Sequence, residues 1–226
     1  MKTALMSADN FEENNEKHLD LDIDVCDFDS TIASFEIDED LDEKTISYLE
    51  RLIRQSYEYK EYINYMKTEL DLTKCALMPN LNQKELKFSL EFHHYPFNLF
   101  EIVQIIGSKM IDDLDENKKL SAFDLCEKVM EEHYRNNIGL VPLSTTLHEM
   151  AHNKAIYIPM SSVNGNYKRF MKKYSDYIDE DLKDRVQENE LDSITTEAKE
   201  YNTKKLEKTI VNYNITYNKD DDWLGE

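Results

Sequence analysis

A chain of 226 residues, 40% apolar and 33% charged, can bury one good-sized core with a small appendage. Its 27 basic and 47 acidic residues leave a formal charge of −20, which argues against a protein that holds nucleic acid by bulk charge. Cys26, Cys75 and Cys126 are widely spaced and odd in number, with no CxxC pair, so neither a disulfide framework nor a cysteine-ligated zinc knuckle is expected.

The acidity is uneven. Residues 1–43 hold 15 acidic and two basic residues, while the remainder holds 32 and 25. This segment reads as a disordered acidic arm, whose LDLDIDVCDFD alternation (19–29) is a weak strand signal. Such an arm repels nucleic acid unless it is folded away or binds a basic protein partner. Met1–Asn10 lacks the apolar run of a signal peptide, and the stretch around Leu99–Ile106 is too short to span a bilayer. The expectation is a cytoplasmic protein with no membrane partner.

From Glu43 to Leu70 one long helix is predicted, because Ile46, Leu49, Ile53, Ile63, Met66 and Leu70 recur at steps of three and four. Tyr57, Tyr59, Tyr62 and Tyr65 crowd its second half and are expected to pack against the domain. Leu86–His94 alternates apolar and polar residues as a strand does, and Pro96 ends it. Asn98 with Glu101 forms a reciprocal cap for a buried helix running to about Ile111. Ser121 with Asp124 starts a further helix to about Asn136. Ile138–Leu143 is a short extended run, followed by a helix with Thr146 and Glu149 as a capping box. AIYIPM (155–160) is strand-like, and 166–178 is a helix with Tyr167, Phe170, Tyr174 and Ile178 on one side. Residues 181–226 read as a charged helical extension with a mobile DDDWLGE end.

Four of the six histidines fall in two places. His93 and His94 end the strand-like LEFHHYPF, and His148 and His152 lie four apart in GLVPLSTTLHEMAH. On a helix, residues four apart share a face, so two imidazoles there and one from a neighbouring strand make a metal-site geometry. His18 and Trp223 are expected to be a solvated residue and a loose tail residue. His133 is either a helix-surface residue or a neighbour of the site.

The strand ending in His-His, the second extended run and the short helix with HxxxH resemble the HNH endonuclease superfamily, whose pattern runs roughly xxHHxxP … NLVPLCxxCHxxxH. The resemblance covers about 25 residues of this chain, in 86–95 and 138–158, with a helical insertion at 98–136. It implies an interrupted ββα-metal motif within a mostly helical α+β core (44–180). It implies that His93, His148 and His152 hold one divalent ion (Zn, Mg, Mn or Ni) and that His94 is the general base. Gly139 stands where the family has its central Asn, and Asn137, two residues earlier, is the candidate to orient the base. The implied function is phosphodiester hydrolysis in nucleic acid, DNA favoured, by a phage-encoded enzyme; richness in Asn, Lys, Asp, Ile and Tyr fits phage coding. Lys154, Lys168, Arg169, Lys172 and Lys173 are the candidate phosphate contacts.

Two other readings use the same residues. HEMAH matches the HExxH pattern, with Glu149 as the base of a zinc metallopeptidase, but that class takes its third ligand downstream, where this chain has no histidine. Alternatively the protein is a catalytically inactive, acidic binding or inhibitor protein, one form of which mimics DNA, as the net charge favours.

Overall fold

A computed structural model of the chain describes residues 36–37, 41–78, 83–84, 88–116 and 118–192. The LDLDIDVCDFD alternation, His18, Cys26, Trp223 and everything beyond 192 lie outside these residues. The fold is α+β and mostly helical. Among the described residues there are seven α-helices and two two-stranded sheets. They gather into two compact units, whereas the sequence reads as one core over 44–180. One unit holds the described residues up to Leu72 with His94–Leu140 and Asn164–Glu180; the other holds Thr73–His93, Val141–Val163 and residues from Asp181. The reason is that the insertion packs with the first helices, while the segments flanking the HxxxH helix gather separately.

The first unit is built on helix packing. Asp42 caps α1 (Glu43–Gln55) by accepting from the Thr45 amide at 2.7 Å, and Ile46, Leu49 and Ile53 form its buried stripe. The hydrogen bonds from Thr45 hold the Asp42 carboxyl below its ordinary range. The single long helix expected here is two helices. Ser56 is extended (ψ 156°), donates to the Ile53 carbonyl at 2.8 Å and accepts from the Tyr59 amide, ending α1 and starting α2 (Tyr57–Thr68). A serine hydroxyl that satisfies both helix ends makes the break inexpensive. The break turns Tyr59, Tyr62 and Met66 inward and leaves Tyr57 exposed.

The acidic arm is ordered at its end: β1 (Glu36–Ile37) pairs antiparallel with β3 (Leu120–Ser121), and Ile37 is buried. Between them in sequence comes α3 (Leu99–Asp112), whose capping box is formed by Asn98 and Glu101 as expected. Leu99, Val103 and Ile106 of α3 are fully buried. Ser121 accepts from the Asp124 amide and opens α4 (Ala122–Tyr134), which packs against α1, α2 and α3. After Asn164, α6 (Tyr167–Lys173) and a 3-10 turn (Ser175–Tyr177) bury Tyr167, Phe170, Tyr174 and Ile178.

Within this unit lies a fully buried carboxylate. Glu132 of α4 is 0% exposed and accepts from Asn137 Nδ2 at 2.6 Å, from Tyr174 Oη at 3.1 Å and from Lys173 Nζ. Burial alone would raise its pKa. The bonds from Lys173, Asn137 and Tyr174 and the lysine charge outweigh it and hold the carboxyl below its ordinary range. A buried carboxylate with both oxygens occupied, paired with the exposed Lys173, joins α4, the following loop and α6.

The second unit contains most of β2 (Leu90–His94) and β4 (Leu140–Ser144), which form the second sheet. Within this unit Thr145 N–H donates to the Ser89 carbonyl, and Ala76 N–H donates to the Pro142 carbonyl at 2.8 Å. Ser144 ends β4 and caps α5 (Thr145–His152) through the Leu147 amide. The helix therefore begins two residues before the expected Thr146–Glu149 capping box, because the buried Ser144 hydroxyl reaches the first amides. It stops where Lys154 adopts φ 52°: Lys154 N–H returns to Ala151 and Ala155 N–H to Met150, a Schellman closure. AIYIPM makes no strand. Ile156 and Ile158 turn inward and a 3-10 turn (Met160–Ser162) follows. The last described helix, α7 (Glu180–Asp192), buries Val186 and exposes Leu191.

Gly165 is a fixed point of the first unit. It sits at φ 111°, and an added Cβ would overlap the Ile138 carbonyl, beside the Leu140–Asn164 bridge. Gly165→Ala is expected to cost about 2–4 kcal/mol, from strain at positive φ plus the overlap. Urea denaturation should show a lower midpoint at unchanged slope; an unchanged midpoint would mean the loop reorganises freely.

Candidate metal centre

Strand β2 sorts its side chains by alternation: Leu90, Phe92 and His94 are buried, while Glu91 and His93 are half-buried. The two adjacent histidines therefore serve different surroundings.

His93 meets the helix pair. Its ring centroid lies 5.1 Å from that of His148 and 4.8 Å from that of His152. One ligand nitrogen from each of the three falls within a set no wider than 4.8 Å. His148 Nε2 and His152 Nε2 face each other at 3.2 Å. Two nitrogens bound at about 2.0–2.1 Å in a tetrahedral site would stand about 3.3 Å apart, so this pair fits a transition ion. His152 is exposed and His148 partly so, which leaves one side open to solvent. Three imidazoles suit Zn or Ni better than Mg, which prefers oxygen ligands.

Glu91 was not among the residues singled out in the sequence. Its Oε2 accepts from His148 Nδ1 at 2.6 Å, and Thr145 Oγ1 lies 3.4 Å from its other oxygen. The available signal was period two: Glu91 stands two residues before His93, on the same strand face.

His94 is placed differently. It is 4% exposed, and its Nε2 lies 3.0 Å from Nε2 of the fully buried His133. Tyr59 stacks near His94, and Tyr59 and Tyr62 meet His133 edge-on. Burial pushes the His133 pKa down to about 4, so its ring is neutral at pH 7. His133 Nδ1 lies 2.7 Å from the Val129 carbonyl, which can only accept, so Nδ1 carries the proton and Nε2 is the acceptor. His94 Nε2–H then donates to it. That nitrogen is committed to a hydrogen bond inside the first unit.

Asn137 is likewise buried, and its amide serves Glu132. Among the candidate phosphate contacts, Lys154 is exposed in the second unit, and Lys168, Arg169 and Lys172 are exposed on α6. Lys173 is also exposed, and its ammonium is paired with Glu132. Glu149, the base of the peptidase reading, is exposed on α5. That helix ends at His152, and the third histidine comes from upstream rather than downstream.

A mostly helical α+β chain with a three-histidine cluster on a strand and a following helix is the class that fold and site define. The chain belongs to the Bacteriophage G278-like virion protein family, which it matches over residues 2–220, so it is a phage protein. No curated protein and no solved structure matches it. No helix among the described residues is long and apolar enough to cross a membrane.

The neutral, buried His133 makes a pH prediction. Its folded pKa lies below the unfolded value of about 6.5, so its contribution is complete above that pH and declines as pH falls toward 4. The difference in unfolding free energy between wild type and His133→Gln should shrink by about 3 kcal/mol from pH 7 to pH 4. A difference independent of pH would mean His133 titrates alike in the folded and unfolded states, with no effect of burial.

Proposed function

We propose that this phage protein is an HNH-like, divalent-metal-dependent nuclease that hydrolyses phosphodiester bonds, with DNA the favoured substrate. One observation carries the reading: His93 from a strand upstream joins His148 and His152 from the helix after β4. That order supports a ββα-metal reading. It is not the order of an HExxH peptidase, whose third ligand follows the helix. The family's description as virion proteins supports a site of action in or with the phage particle rather than free in the host cytoplasm.

The chain's own residues would hold the ion through three neutral imidazole nitrogens, His93, His148 and His152. A divalent ion bound there supplies Lewis-acid polarisation of a phosphoryl oxygen and stabilises the leaving oxygen. His148 and His152 leave the open side for a phosphate. Lys154, exposed just beyond α5, offers positive charge in the same unit. The reading rests on the ligands and not on His94 as base, because the His94 Nε2–H is engaged by His133.

A second reading has an observation in its favour. With His94 and Asn137 both buried in internal bonds, the three histidines can serve as a metal staple of a non-catalytic virion component.

Cleavage of supercoiled plasmid and single-stranded DNA, scanned over Mg, Mn, Ni and Zn, tests the proposal. We expect metal-dependent nicking that falls at least 100-fold in His93→Ala and His148→Ala. His94→Ala should keep stoichiometric metal; if it also keeps cleavage, the base is another group. Stoichiometric metal without cleavage, together with a fall in Tm on chelation, would replace the nuclease by the staple. Digestion of casein abolished by Glu149→Gln would establish the peptidase instead.

A further inference from the structure

Glu91, we infer, is the residue that orients His148 for metal binding, an outer carboxylate without which the three-histidine site is poorly formed. The inference rests on the metal reading given above and assigns a role that the ligand set alone leaves open.

An imidazole can coordinate through a nitrogen only if that nitrogen has no proton, so a site of three histidines needs a device that selects the tautomer. His148 has one. Its Nδ1 lies 2.6 Å from Glu91 Oε2, an ionised carboxylate that can only accept, so the proton belongs on Nδ1. Nε2 of His148 is then a bare lone pair, and it faces Nε2 of His152 at 3.2 Å. Two bare lone pairs do not face each other at that distance. In the metal-free protein, His152 Nε2–H therefore donates to His148. Metal uptake asks His152, an exposed residue, to carry its proton on Nδ1 instead, where Nδ1–H donates to water.

Glu91 therefore makes His148 the ligand poised in advance and leaves His152 as the one that adjusts. The carboxylate also raises the donor strength of His148, as outer-sphere carboxylates do for metal-bound histidines. Its own placement is local: period two in β2 puts Glu91 and His93 on the same strand face, and Thr145 Oγ1, at the first residue of α5, lies 3.4 Å from its second oxygen. Strand, helix and two ligands are thus tied through one side chain. At 43% exposure, the Glu91 side chain sits at the surface rather than as a buried charge.

The test uses the full-length chain and Zn or Co as the probe, with three readouts. Titration calorimetry should show Zn affinity lowered about 10–100-fold in Glu91→Ala and less in Glu91→Gln, whose carbonyl can still accept. Nitrogen-detected NMR of the metal-free protein should find His148 protonated at Nδ1 in wild type and a mixture of tautomers in Glu91→Ala. Thermal melts in EDTA should leave the Glu91→Ala Tm within a few degrees of wild type, which separates positioning from folding. Wild-type affinity in Glu91→Ala, with the Nδ1–H tautomer retained, would overturn the inference while leaving the metal site intact. No binding by wild type would overturn the metal site itself.

Discussion

The alternation of strand β2 is the constraint on which the chemistry depends. In a strand whose Leu90, Phe92 and His94 face inward, Glu91 and His93 must face the other way. Two adjacent histidines that look like a functional pair in sequence are thereby separated in role. One joins the helix histidines and shares its strand face with Glu91, whose carboxylate contacts His148. The other enters a buried pair with His133. A slip of one residue in this strand would exchange them and bury His93 instead.

Two buried polar groups of the first unit, Glu132 and His133, are fully satisfied, whereas Glu58 Oε2, Tyr62 Oη and Asn137 Oδ1 are buried without a hydrogen-bond partner. Glu132 is bonded on both oxygens, and His133 keeps its proton where a carbonyl can accept it. Such groups lock one arrangement of the backbone, since each bond is lost if a helix shifts. Asn137 and Lys173, both singled out from the sequence, each bond Glu132.

Much of the fold was legible from local chemistry. The Asn98–Glu101 capping box, the Ser121 cap and the aromatic stripe of Tyr167, Phe170 and Tyr174 appear where residue type and spacing place them. The break at Ser56 was not legible, because the apolar spacing runs through it and only the serine's two hydrogen bonds reveal it. AIYIPM has strand composition but makes no strand, and composition does not disclose pairing. At the site, the three-histidine cluster was readable from HxxxH spacing and the strand ending. The burial of His94 depends on His133, 39 residues away, which no local pattern connects to it. Glu91 was missed because attention to a motif stops at the motif's own letters.

The Glu132–Lys173 pair also bears on how this acidic chain would meet a polyanion. A lysine that neutralises a phosphate on duplex DNA releases about 0.9 of a condensed counterion, and that entropy drives much of the association. Lys173 has already exchanged its solvent counterion for a carboxylate during folding. Its partner carboxylate is buried, so no ion from solution can replace it. Helix α6 therefore carries one positive charge already paired with a carboxylate of the chain itself, beside the exposed Lys168, Arg169 and Lys172.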